Sequence, residues 1–162
     1  MSAKPCIAFW FRYGAAEHTE LYHALPRLLE ALAQHAEVHY FGFEGRRPAP
    51  DSIARHAVLH RLPFRVDRTN NRDKLIKYAL WLFCLPWIGL RCRRLGIRAV
   101  YIDETVPLAA PLARWFFGPN VAITIADFFT DIYLSGGGLK GLLARVIQSL
   151  DWRAWRKLPL II

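Results

Sequence analysis

Apolar runs alternate with amphipathic stretches along the chain and predict strands that alternate with helices. Residues 5–12 (PCIAFWFR) form an almost continuous apolar run, which is typical of a strand covered on both faces. Five later runs predict further strands: 37–43, 56–64, 97–102, 121–127 and 158–162. The run at 121–127 (VAITIAD) predicts a central strand whose carboxyl end delivers Asp127 to a cleft.

Apolar residues at helical spacing predict the elements between these strands. They cover four stretches: 19–35, 70–95, 105–117 and 139–155. Pro26 lies inside the first stretch and predicts a kink or a restart there, because proline removes a helical hydrogen bond. About six strands alternating with helices predict an α/β fold, with a Rossmann-like, doubly wound and mostly parallel sheet in a single domain of residues 1–162.

Composition changes this picture in two ways. The 22 Lys and Arg residues outnumber the 13 Asp and Glu residues, and the formal charge of +9 favours an anionic partner such as a nucleotide, a phosphate-bearing lipid surface or nucleic acid. No recognised DNA- or RNA-binding signature is present, so no specific nucleic-acid partner is predicted. Three cysteines without a CxxC pair indicate neither a disulfide framework nor a zinc site, and they fit a reducing, cytosolic setting.

Candidate substrate-binding residues follow the predicted strands at the edge where α/β sheets bind ligands. They are Arg12, Gly14, His18, Asp103 and Glu104. Asp127 is the candidate catalytic residue, with the capping of the next turn as its alternative role. The single glycine at the first turn does not match a dinucleotide fingerprint, and no metal site is predicted.

The stretch 78–90 is apolar all round and has basic residues on both sides. It is too short to span a bilayer, which needs about 20 residues. A helix lying in the lipid headgroup layer explains the tryptophans and the flanking charges, whereas burial against a missing partner domain explains the apolar run alone. The predicted membrane or partner surface consists of Trp81, Trp87, Arg91, Arg93 and Arg94.

The order of these features resembles the first half of the group 1 (family 4) glycosyltransferases. The run Phe9–Gly14, a Leu-rich helix and then HAEVHY at 35–40 resemble the family's opening, and VYIDE at 100–104, the strand at 121–127 and residues 142–162 follow in the family's order. The resemblance covers nearly the whole chain. It implies the acceptor-binding, N-terminal half of a GT-B architecture, in which a second Rossmann-like domain binds the nucleotide-sugar.

Three departures accompany this resemblance. The family's glycine pair at the first turn is Gly14-Ala15 in this chain, and its His-Asp pair after the fifth strand is Asp127-Phe128. The resemblance also implies that the second domain would begin where this sequence ends, so the donor site and its paired glutamates are expected to lie outside it.

The resemblance implies a retaining glycosyltransferase that moves a sugar from a nucleotide-sugar to a cell-envelope or lipid-linked acceptor. Asp127 would bind or polarise the acceptor. The nucleotide-sugar would be the co-substrate, with no other cofactor, and the missing C-terminal domain or a partner subunit would bind it. The chain alone is expected to be inactive, cytoplasmic and peripheral on the anionic inner face of the membrane. The alternative is a non-catalytic, Rossmann-like adaptor on the membrane surface that docks a partner domain.

Overall fold

Six strands form one parallel sheet in the computed structural model, which describes residues 4–66, 74–102, 106–124 and 138–161. The strands are β1 (Cys6–Trp10), β2 (Glu37–Glu44), β3 (Val58–Arg65), β4 (Ala99–Ile102), β5 (Val121–Ile123) and β6 (Leu160–Ile161). Their order in the sheet is β3-β2-β1-β4-β5-β6, and every neighbouring pair is parallel. The predicted Rossmann-like α/β fold is confirmed.

Helices cover both faces of this sheet, as a doubly wound fold requires. The described helices are α1 (Ala15–Leu21), α2 (Leu25–His35), α3 (Asp51–Ala54), α4 (Lys74–Arg94), α5 (Ala109–Phe117) and α6 (Gly138–Trp155). One apolar core joins the sheet to α1, α2 and α3, and a larger one joins it to α4, α5 and α6.

The side chains of β1 show why the first apolar run has no polar face. Phe9 and Phe11 enter the core under α1 and α2, whereas Ala8 and Trp10 enter the core under α4 and α5. All four side chains are buried, because successive side chains of a strand point to opposite faces and both faces are covered here.

The element boundaries confirm the predicted break at Pro26 and revise other limits. Pro26 lies in the first turn of α2, where the missing backbone N–H removes no helical hydrogen bond. Pro86 lies inside α4, which nevertheless continues to Arg94. The short helix α3 was not predicted, since its four residues are too few to show helical periodicity. The third strand begins at Val58, two residues later than predicted.

Candidate functional site

The strand order reverses direction between the central strands β1 and β4. Chain connections run in opposite directions from this pair, and ligands of open α/β sheets bind outside the carboxyl ends of the strands at such a point. Arg12 and Gly14 directly follow β1 on this edge. Asp103, Glu104 and Asp127 lie outside the described residues, so their roles stay predictions.

A cavity of about 260 Å³ opens at the carboxyl ends of β1, β2 and β3. Gly14 lines it from the first turn, and guanidinium-bearing residues line it from β3 and from the loop after β2. These residues are Arg46, Arg47, Arg61 and Arg65. We call this cavity the arginine cleft.

An irregularity in β3 places Arg65 at the cleft. Leu62 pairs with Phe43, but the next pair along the two strands is Arg65 with Glu44, so Pro63 and Phe64 are extra residues in β3. A bulge of this kind re-aims the side chains that follow it. If the register continued unbroken from Leu62, Arg65 would lie opposite Arg46, beyond the end of β2, whereas the bulge brings it level with Glu44.

The loop after β2 is held against the first turn by a buried carboxylate. Glu17 of α1 accepts a hydrogen bond from the backbone N–H of Arg46 at 2.8 Å. A Cβ added at Gly14 would lie 2.6 Å from Glu17 Oε2 and 2.7 Å from the Gly45 backbone nitrogen, so a side chain there would need the backbone to move. The wall of the cleft therefore depends on two glycines that face each other.

The charges of the cleft suit an anion. Four arginines line it against a single acidic residue, Glu44, and one of the four, Arg47, forms an ion pair with Glu20. Arg65 donates a hydrogen bond to the Arg46 carbonyl oxygen at 3.3 Å, which supports the loop from the side of β3. Guanidinium groups bind phosphates and carboxylates through paired N–H donors, so the cleft suits a ligand that bears one of these anionic groups.

Sequence reasoning missed these arginines. The Gly-Arg-Arg segment at 45–47 follows the predicted second strand as a loop, Arg61 lies inside the predicted third strand (56–64), and Arg65 lies just beyond its predicted end. Their convergence depends on the parallel pairing of β2 with β3, which brings Arg61 opposite Gly42. The available signal was the Arg-Arg pair directly after a buried strand.

Two of the predicted substrate-binding residues are buried in the structure. The Arg12 guanidinium lies 4.8 Å from the centre of the Tyr13 ring. His18 was expected at an exposed rim, but it stacks on Phe11 with ring centres 3.5 Å apart, and its Nδ1 lies 2.9 Å from the Tyr40 hydroxyl oxygen. In this structure the His18 side chain is buried. Whether it contacts substrate stays a prediction.

The two tryptophans of α4 lie on opposite faces of the helix. Trp81 was predicted to be a surface residue, but it is only 1% exposed and packs edge-on against Phe43 in the core, which corrects that expectation. Trp87 lies on the outer face, 47% exposed, with the Arg91 guanidinium 5.7 Å from its ring centre. The two positions are six residues apart along the chain, which at about 100° per residue places them about 120° apart around the helix axis.

The outer face of α4 is apolar and ends in arginines. Its exposed apolar residues are Ile76, Phe83, Trp87 and Leu90. Arg91 and Arg94 are exposed at its carboxyl end. Arg93, which was grouped with them, donates hydrogen bonds to the Trp115 and Phe116 carbonyl oxygens and so joins α4 to α5. Among the helices of the described ranges, none combines the length and the apolar character needed to cross a membrane.

Comparison with solved structures finds a partial likeness. The chain is similar to LpCGTa, whose crystal structure was determined in complex with UDP, with 18% sequence identity and a TM-score of 0.44. The likeness covers 82% of this chain and 32% of the LpCGTa chain, so this chain spans about a third of the length of that structure. No protein-family model matches the sequence, and no curated protein matches it.

Proposed function

We propose that this chain is the acceptor-binding part of a retaining glycosyltransferase that uses a nucleotide-sugar and a lipid-linked or cell-envelope acceptor. The arginine cleft carries the proposal. It lies at the carboxyl edge of a parallel Rossmann-like sheet, beside Gly14, and its four arginines would hold the phosphate groups of the acceptor. The order of elements, which resembles the first half of family 4 glycosyltransferases, supports the same role.

The residues of the chain would then bind and orient the acceptor. Arg61 and Arg65 would contact the phosphates from β3, and the loop after β2 would enclose them from the other side. The nucleotide-sugar would be bound by a second domain or a partner subunit that faces this edge. Asp127 would bind or polarise the acceptor hydroxyl in that assembled site.

A binding experiment tests the acceptor role. We expect a soluble, short-chain lipid diphosphate carrying a sugar to bind the chain, and the uncharged sugar alone to bind far more weakly. Arg61→Ala and Arg65→Ala should each weaken this binding about tenfold or more, because a charge-assisted hydrogen bond contributes about 1.5–3 kcal/mol. Arg27→Ala removes an exposed arginine of α2 outside the cleft and serves as the matched control. Equal binding by all four proteins would contradict the proposal.

A sugar-transfer assay tests whether the chain binds the acceptor without catalysing transfer. The 162-residue chain should bind the acceptor but transfer no sugar from a nucleotide-sugar. Sugar transfer by the chain alone would contradict the proposed need for a donor-binding partner.

The second candidate function is a non-catalytic adaptor on a membrane surface. Its supporting observation is the exposed apolar surface of the neighbouring helices α4, α5 and α6. In this surface Phe83 of α4 is 79% exposed and Trp115 of α5 is 76% exposed. The arginines at the end of α4 would complement anionic lipid, and each basic residue near such a surface contributes on the order of 1 kcal/mol. The same surface would keep a glycosyltransferase next to a lipid-linked acceptor, so the two functions share it.

Vesicle sedimentation tests the membrane contact. Replacing Arg91 and Arg94 by Glu should abolish binding to vesicles that contain anionic lipid. Arg93 is left unchanged, because its hydrogen bonds to the α5 carbonyl oxygens make its replacement a test of folding as well. Binding that persists in the double variant would contradict the role of these two arginines, and absence of vesicle binding by the unaltered chain would point to a protein partner for this surface.

A further inference from the structure

A second cluster of chemically reactive side chains lies at the opposite, amino-terminal edge of the sheet. Cys6 of β1 pairs in register with Glu37 of β2, and His39 follows two residues later on the same face of β2. One ligand atom from each of these residues lies within 4.8 Å of the other two. The parallel pairing of β1 with β2 therefore assembles three metal-ligating residue types that are far apart in the sequence.

The distances between these atoms match the edges of a coordination tetrahedron. Cys6 Sγ lies 3.7 Å from Glu37 Oε2, and His39 Nε2 lies 3.4 Å from Glu37 Oε1. Ligands at about 2.0–2.3 Å from a tetrahedral zinc ion are separated by about 3.3–3.8 Å. Both distances fall in this range, and each runs to a different oxygen of the Glu37 carboxylate, so the carboxylate lies between the thiol and the imidazole.

A neighbouring histidine orients the imidazole of His39. Its Nδ1 lies 2.9 Å from Nε2 of His60, which belongs to β3, and the two rings are stacked with centres 5.1 Å apart. When Nδ1 carries the proton and donates it to His60, Nε2 keeps its lone pair and faces Cys6 and Glu37. Metal-bound histidines characteristically donate their other N–H to such a partner.

Charge and access also suit a cation at this position. Metal binding would displace the proton that the Cys6 thiol donates to Glu37, and Cys6 and Glu37 would then supply two negative charges to the ion. The Glu37 side chain is 54% exposed, so solvent can reach a metal ion from that side and supply the fourth ligand.

We propose that Cys6, Glu37 and His39 form a binding site for Zn²⁺ or a similar late first-row divalent ion, with His60 orienting His39. Thiolate and imidazole ligands favour this class of ion over Mg²⁺ or Ca²⁺. Cys6, Glu37 and His39 lie outside the arginine cleft, whose lining includes His60, so the three proposed ligands do not depend on the proposed acceptor role. Without metal, the Cys6 thiol donates a hydrogen bond to the Glu37 carboxylate, and His39 Nε2 lies 3.4 Å from the same carboxylate.

Cobalt spectroscopy on the full chain, freed of metal with a chelator, tests this site. Co²⁺ should bind in a one-to-one ratio and give a thiolate-to-metal charge-transfer band. Cys6→Ala should remove the band, whereas Cys84→Ala, which removes a cysteine outside the cluster, should retain it.

Zn²⁺ titration calorimetry measures the contribution of each residue. Glu37→Gln should lower the affinity by about 100-fold or more, and His60→Ala by about 10–100-fold, because it removes an orienting partner and not a ligand. His56→Ala is the control outside the cluster. Circular dichroism checks that each variant folds. Glu37→Gln is expected to fold, because the Glu37 side chain is exposed. Absence of the charge-transfer band in the unaltered chain, or affinity that is unchanged by Glu37→Gln and Cys6→Ala, would overturn the proposal.

Discussion

The buried carboxylate of Glu17 accepts a hydrogen bond from the backbone N–H of Arg46 at 2.8 Å, and this bond joins helix α1 to the loop after β2. Glu17→Ala should lower the free energy of unfolding by about 1–3 kcal/mol, because the Arg46 N–H loses its partner. Glu17→Gln keeps an acceptor oxygen and should retain most of the stability. Chemical denaturation of both variants, with exposed Glu30→Ala as control, measures the difference; equal losses in the Ala and Gln variants would assign the effect to the charge.

The contact of α4 with α5 depends on Gly89. A Cβ at this position would overlap the ring of Phe116, so Gly89→Ala should destabilise the fold by about 1–3 kcal/mol. Since the obstacle is a side chain, the loss in the Gly89→Ala/Phe116→Ala double variant should be smaller than the sum of the two single losses. A double-mutant cycle from thermal unfolding gives the coupling. Additive losses would show that the two positions do not interact.

Truncating a side chain should cost much more stability on the buried face of α4 than on its exposed face. Trp81→Ala opens a cavity in the core and should cost about 3–5 kcal/mol of stability, whereas Phe83→Ala should change stability by less than about 0.5 kcal/mol. If the outer face contacts membranes, Phe83→Ala should weaken vesicle binding. Denaturation and vesicle sedimentation of the two variants separate the faces. A large loss of stability in Phe83→Ala would contradict the exposed position of this side chain.

Asp151 should make stability depend on pH. Burial in α6 raises the pKa of Asp151 to about 7, although the hydrogen bond from the Leu108 backbone N–H, at 2.9 Å, acts to lower it. Between about pH 4 and pH 7 the unfolded chain releases this proton while the folded chain retains it, so stability falls as pH rises through this window.

Asp151→Asn removes this penalty and keeps the oxygen that accepts from Leu108. Above pH 7 the variant should be more stable than the unaltered chain by up to about 4 kcal/mol, and the difference should vanish near pH 4. Denaturant unfolding at several pH values checks this, with exposed Asp51→Asn as the control. A difference that does not change with pH would refute the assignment to Asp151.

The main elements of the fold were predictable because each carries a local signal. The apolar run around Phe9 predicted a strand buried on both faces, and Pro26 predicted the break between α1 and α2. The short helix α3 has no such signal. The buried face of α4 could not be distinguished from its outer face because both are apolar, which is why Trp81 was placed on the surface.

The candidate site was less predictable because its residues converge only in the folded sheet. Gly14 carried a signal as the small residue after a strand, and the structure places it in the cleft wall. Arg61 and Arg65 gave no signal, since their role depends on the register of β3 and on the bulge at Pro63 and Phe64. Cys6 and Glu37 likewise become neighbours only through the pairing of β1 with β2.

The bulge in β3 has a consequence for contacts between molecules. β3 is an outer strand of the sheet, and exposed outer strands can recruit strands from other chains and begin aggregation. An incoming strand would meet Pro63, which has no backbone N–H, a shift in register and the charges of Arg61 and Arg65. The same segment that aims arginines into the cleft therefore makes this edge a poor template for intermolecular sheet growth.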